Sequence, residues 1–141
     1  MFRNILVALK FSPAGLHAAS QGVALAGVHG ARLHLFHALD YRLKDLAATD
    51  SRLSESREAA QKRFDADVQP LLGTAADYVF EFFPADPSLE VCRLAKKLPS
   101  DLIILGCHQP LSKIRMGRID YVGMTILEKA PCPVMLIPYN D

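Results

Sequence analysis

The chain has 141 residues, half of them hydrophobic, and a formal net charge of +1. That length suits a single domain, expected over residues 1–141, with a sizeable core. The near-neutral charge gives no global pull toward nucleic acid or a membrane surface, and the apolar runs are far too short to span a bilayer. Met1-Phe2-Arg3-Asn4 leads straight into "ILVAL" without a signal-peptide pattern, so a cytoplasmic location is expected.

Apolar runs of strand length alternate with helical periodicity throughout. "NILVAL" (Asn4–Leu9) reads as the first strand. Ser12 suits a helix cap and Pro13 the first helical position. Leu16, Ala19, Val23 and Ala26 then form one apolar face, and Gly30 ends the helix. "RLHLFHA" (Arg32–Ala38) is the second strand. Leu39 to Asp50 reads as mostly irregular, with Leu43 and Leu46 able to form a short helical turn. A second helix is expected over about Ser51–Leu72, its stripe made by Ala60, Phe64, Val68 and Leu71, with Pro70 breaking or kinking the last turn.

"DYVFEFF" (Asp77–Phe83) is the third strand. Asp86-Pro87 caps a third helix that turns Val91, Leu94, Ala95 and Leu98 inward, and Pro99-Ser100 stops it. "DLIILG" is the fourth strand, apolar enough for burial on both faces. A last helix carries Ile119, Val122, Gly123, Ile126, Leu127 and Ala130 on one side, and "PCPVMLIP" supplies the fifth strand. Strictly alternating strands and helices demand a mostly parallel sheet with helices on both faces. Ligands of such sheets sit beyond the carboxyl ends of strands, where the strand order reverses. The loops after the first and fourth strands, "KFS" and "GCHQPLSKIRMG", are therefore the places to look.

Side-chain chemistry is sparse. The three cysteines, Cys92, Cys107 and Cys132, are odd in number and form no C-x-x-C, which argues against a disulfide framework or a structural zinc site. None of the five histidines pairs with another at helical i, i+4 spacing, and His34 and His37, three apart on a strand, point to opposite faces. No metal and no resident cofactor are expected. His108 beside Cys107 has no evident orienting group, so a structural role is expected over a catalytic one. Lys113, Arg115 and Arg118 make the loop after the fourth strand basic, the ordinary condition of a solvated loop. Lys10 is expected to pair with an acid such as Asp40.

"NILVAL-x-x-S", "RLHLFHALD", "DLIILGCH" and "ILEKAPCPVMLI" together resemble the universal stress protein family over nearly the whole chain. The resemblance implies an open, Rossmann-like parallel sheet of five strands in the order 3-2-1-4-5, and a homodimer joined through the last strand. Many members bind ATP with an Asp after the first strand and Gly-x2-Gly-x9-Gly-Ser/Thr after the fourth. Glycines there let backbone N–H groups approach oxygen anions at a helix N-terminus. In this chain Gly106 matches the first glycine and the second falls on Gln109; counted back from "APCPV", the third falls on Asp120 and the hydroxyl residue on Tyr121, and Gly117 would stand in for the third glycine only if the loop shifted, with Arg118 then in place of the hydroxyl residue. The adenosine-side Asp falls on Lys10, with Phe11 beside it.

The loop is similar instead to the branch typified by universal stress protein A. Gly106, His108, Gln109, Ser112 and Lys113 match its "G-x-H-Q" opening and later "S-K". That branch is regarded as not binding ATP. The expected protein is thus a non-enzymatic stress-response regulator acting through dimerisation and protein partners. The alternative is a weak nucleotide binder with slow hydrolysis at most, its degenerate site built on Gly106, Gln109, Lys113 and Arg115. A response regulator would need an acidic cluster after the first strand, an ATP pyrophosphatase a Ser-Gly-Gly loop and a flavodoxin a Thr/Ser-rich phosphate loop. None is present. Val134, Met135, Leu136 and Ile137 are too continuously apolar for a bare edge strand, and are expected at the centre of the dimer interface.

Overall fold

The computed structural model describes residues 1–73, 77–109 and 120–140. Five strands, β1 (Asn4–Ala8), β2 (Arg32–Leu39), β3 (Tyr78–Pro84), β4 (Leu102–Gln109) and β5 (Val134–Asn140), form one sheet in the order β3-β2-β1-β4-β5. Every neighbouring pair is parallel. The register is set in the middle of the sheet, where Val7 of β1 lies between Leu35 of β2 and Ile104 of β4. All three side chains are fully buried, as expected for strands covered on both faces.

Two cores sandwich the sheet. One joins Ile5, Val7, Leu33 and Leu35 to α1 (Pro13–His29) and to Phe64 and Val68 of the second helical segment. The other joins Leu6, Phe36, Ile103 and Leu105 to α4 (Pro87–Lys97) and α5 (Tyr121–Lys129). The alternation of odd and even positions along β1 and β2 between these cores follows from the two-residue repeat of a strand. His34 and His37 accordingly stand on opposite faces, as expected.

The helix ends follow the sequence signals. Ser12 accepts the Gly15 N–H, Pro13 takes the first turn, and Gly30 closes α1 at φ 65°. Asp86 caps α4 through the Ser88 N–H. The inward side of α1, however, is Ala14, Gly15, Ala18, Ala19 and Gly22, while Leu16 and Val23 flank it. Small residues let the helix lie close on the sheet: a Cβ on Gly22 would stand 2.7 Å from Val7 Cγ2.

The second helical segment differs most from expectation. It comprises α2 (Ser51–Arg63), a π turn (Phe64–Val68) and the short α3 (Gln69–Leu72). The Gln69 N–H reaches back to the Phe64 carbonyl. A π turn takes one extra residue, so the buried stripe runs Ala60, Phe64, Val68, Leu72, and Leu71 is exposed. Pro70, which has no N–H to donate, falls just after that widened turn. Smaller shifts occur elsewhere. β4 runs on to Gln109 and β5 to Asn140, Leu127 of α5 is exposed, and Tyr41–Leu43 forms a 3-10 turn within the segment expected to be mostly irregular. Ile119 lies outside the described residues.

Candidate functional site at the carboxyl ends of β1 and β4

β1 sits between β2 and β4, with α1 on one face of the sheet and α5 on the other, so the strand order reverses between the ends of β1 and β4. The loop after β1 brings Lys10 and Ser12 to this crevice. β4 brings Gly106 and His108, and the start of α5 brings Asp120 and Gly123. Together they line a cavity of about 100 Å³. A second, of about 80 Å³, lies on the other side of Lys10 against His37 and Val91.

Asp120 dominates the crevice. Its Oδ1 accepts the Gly123 N–H at 2.7 Å, capping α5, and its Oδ2 lies 3.4 Å from Lys10 Nζ. The partner of Lys10 is thus Asp120 and not an acid such as Asp40. Asp40 is held instead by Arg42, whose guanidinium hydrogen bond keeps the carboxyl down at about 2. The Asp cap takes one of the donors, the Gly123 N–H, that a free helix N-terminus would offer to a bound anion. The Asp120 carboxylate is thus already engaged by a backbone N–H and a lysine.

Gly106 is needed for packing within the protein. A Cβ there would stand 2.4 Å from the Ala14 carbonyl oxygen, so the residue lets α1 approach β4. Gly15 plays the same part opposite the Lys10 carbonyl, at 2.0 Å. Gln109 ends β4, its backbone in register with Asn140. Lys113 and Arg115, with Ser112 and Arg118, lie outside the described residues.

The loop after β1 is pinned from below. Arg63 Nη2 donates to the Phe11 carbonyl at 2.6 Å, and its guanidinium lies over the Phe11 ring, 5.3 Å from the centroid. The Phe11 ring packs 4.6 Å from that of His37, whose Nδ1 lies 3.0 Å from the Leu9 carbonyl oxygen. Burial pushes the His37 imidazole below its ordinary value, against the Leu9 hydrogen bond and with help from the Arg63 charge. A neutral ring donating to Leu9 fits that environment. No sequence signal singled out Arg63, because its partner lies 52 positions away.

His108 is exposed beside a partly buried Cys107. Burial raises the Cys92 and Cys132 thiols above their ordinary value, away from the thiolate form a nucleophile needs. Among the described residues, no group of three or more His, Cys, Asp and Glu side chains could hold a metal ion. No helix among them is long and apolar enough to cross a membrane.

The model of the universal stress protein family matches residues 1–138. The chain belongs to that family. Among solved structures it is similar to the universal stress protein UspA from Lactobacillus plantarum, at 25% identity and TM-score 0.76, over 96% of this chain and 97% of that one. It is also similar to a universal stress family protein from Burkholderia pseudomallei, at 24% identity and TM-score 0.72, over 96% of each chain. The Archaeoglobus fulgidus universal stress protein in complex with dAMP shares the fold at 15% identity and TM-score 0.69, over 97% of this chain and 98% of that one. No curated protein matches the chain closely enough to count. The strand order 3-2-1-4-5, expected from the resemblance, is the one observed.

Proposed function

We propose that this universal stress protein is a homodimeric, non-enzymatic regulator, acting in the cytoplasm through protein partners and without tight ATP binding. The supporting observation is Asp120, which caps α5 and faces Lys10 at 3.4 Å where the family's nucleotide binders have glycine opposite aspartate. A phosphate there would meet a fixed carboxylate. Two like charges 4 Å apart repel by about 1 kcal/mol in bulk water, and several times more where solvent is scarce. Lys10, 3.4 Å from Asp120 Oδ2, offsets part of this repulsion, and the pair leaves no net positive charge to attract a phosphate.

The homodimer rests on β5. It is an edge strand, and Val134, Met135, Leu136 and Ile137 are each partly exposed there. A second copy meeting the same strand about a two-fold axis would satisfy the open backbone groups and cover these side chains. A second functional reading keeps the crevice as a degenerate nucleotide site. It is favoured by the Archaeoglobus fulgidus relative that holds dAMP on the same fold. Calorimetric titration with Mg-ATP and with AMP separates the two. The regulatory reading expects no micromolar affinity for either; binding that tight overturns it.

A further inference from the structure

A groove of about 680 Å³ opens beyond the carboxyl ends of β2 and β3. Tyr41 and Lys44 reach it from the turn after β2, Phe83 and Pro84 from the end of β3, and Pro87 and Leu89 from the start of α4. Tyr41 is 55% exposed and Leu89 53%. An isolated exposed apolar residue is ordinary, whereas several gathered on one surface mark a contact site. This surface is also rigid. The Phe83 ring packs on that of the buried Phe36, with centroids 4.9 Å apart, and the ring of each proline fixes its φ. A partner therefore loses little free energy in ordering the groove.

The charges that line the groove choose the partner's chemistry. Its two acids are engaged at home. Asp86 Oδ1 accepts the Ser88 N–H and hydroxyl at 3.0 and 2.7 Å, and Arg93 Nε donates to both oxygens of Glu90 at 2.9 and 3.0 Å. Lys44 has no carboxylate partner among the described residues; its Nζ lies 5.3 Å from the centroid of the Tyr41 ring. The uncommitted charge is therefore positive and stands beside an aromatic face. Its complement is a carboxylate next to an apolar side chain. Small-molecule sites enclose most of their ligand, which a groove with half-exposed rims does not do, whereas grooves lined by aromatic side chains suit extended peptides. We propose that this groove docks a short segment of a partner protein that carries a carboxylate beside an apolar side chain. The proposal rests on the regulatory reading and deepens it, because it gives the protein partners a place to bind.

Selection from a displayed library of short random peptides on the full-length protein tests this. Peptides with Asp or Glu next to an apolar residue should be enriched, and their synthetic forms should shift the Tyr41, Lys44 and Leu89 resonances saturably. Lys44→Glu should weaken their binding by about tenfold or more, as a residue at the centre of an interface does. Leu89→Ala, a surface truncation that leaves the fold intact, should do the same. Enriched peptides without an acid, shifts confined to another surface, unchanged affinity in either variant or the absence of any saturable binder each overturn the proposal. A smaller assembly of Leu89→Ala in light scattering also overturns it, by giving the groove to a second copy. None of these results bears on the nucleotide titration, so the regulatory reading stands or falls separately.

Discussion

Asp120 does two jobs with two oxygens, and substitution can separate them. Asparagine caps helices about as well as aspartate, so Asp120→Asn keeps the Gly123 contact and removes the charge facing Lys10. Both side chains are more than half exposed, and exposed pairs contribute about 0.2–1 kcal/mol. Thermal denaturation should therefore show Asp120→Asn within about 1 kcal/mol of the parent. Its affinity for Mg-ATP should rise, and no rise would mean that the carboxylate is not what keeps phosphate out. Asp120→Ala loses the cap too, for about 1 kcal/mol more. His37 gives a pH dependence. Its folded value is lowered, chiefly by burial, whereas an unfolded histidine takes its proton near pH ~6.5. The unfolded chain therefore binds a proton that the folded one refuses, so this stability is full above that pH and fades as pH falls through the lowered value. His34, also lowered mainly by burial, acts in the same direction. The urea midpoint should drop between about pH 7.5 and 5.5, and less in His37→Gln; an unchanged slope in that variant would remove His37 from the account. Of the site, the place was legible in the sequence, because the loops after β1 and β4 do bring Lys10 and Gly106 to one crevice. The pairing of Lys10 was not, because its partner is 110 positions away and nearer acids looked as suitable.

At the scale of elements, caps and periodicity served well wherever the helix was regular. Ser12, Gly30 and Asp86 stand where capping chemistry placed them. Periodicity misled in two places, each for a physical reason. The 3.6-residue repeat carries the second stripe to Leu71, but the π turn at Phe64–Val68 adds a residue and rotates Leu72 inward. On α1 the expected face of Leu16, Ala19, Val23 and Ala26 shares only Ala19 with the buried side, because close approach to Val7 and β4 demands glycine and alanine there. The first point can be measured. Leu72→Ala should cost roughly 2–4 kcal/mol as a buried truncation, and Leu71→Ala less than about 0.5 kcal/mol as a surface change. Urea denaturation showing equal losses would place the stripe back on the regular repeat.

For the whole molecule, the apolar edge strand β5 matters most. β5 is covered on its faces by both cores, with Met135 and Ile137 packed toward one and Val134 and Leu136 toward the other. If a second copy pairs with it, light scattering should give a dimer at micromolar concentration, and Met135→Lys or Ile137→Lys should shift it toward monomer. An unmodified protein that stays monomeric would refute the pairing. The sheet order has a further consequence, in time rather than in space. β1 is the central strand and the first to be synthesised, yet Ile5 pairs with Leu102 on one side and Leu33 on the other. At about 5–20 residues per second, β1 waits several seconds for β4 with one edge open. Proteolysis of ribosome-bound chains of increasing length should find β1 protected only after β4 has emerged, and earlier protection would mean that β1 and β2 are stable alone. During that wait, the segment later buried deepest is the one most available to a chaperone.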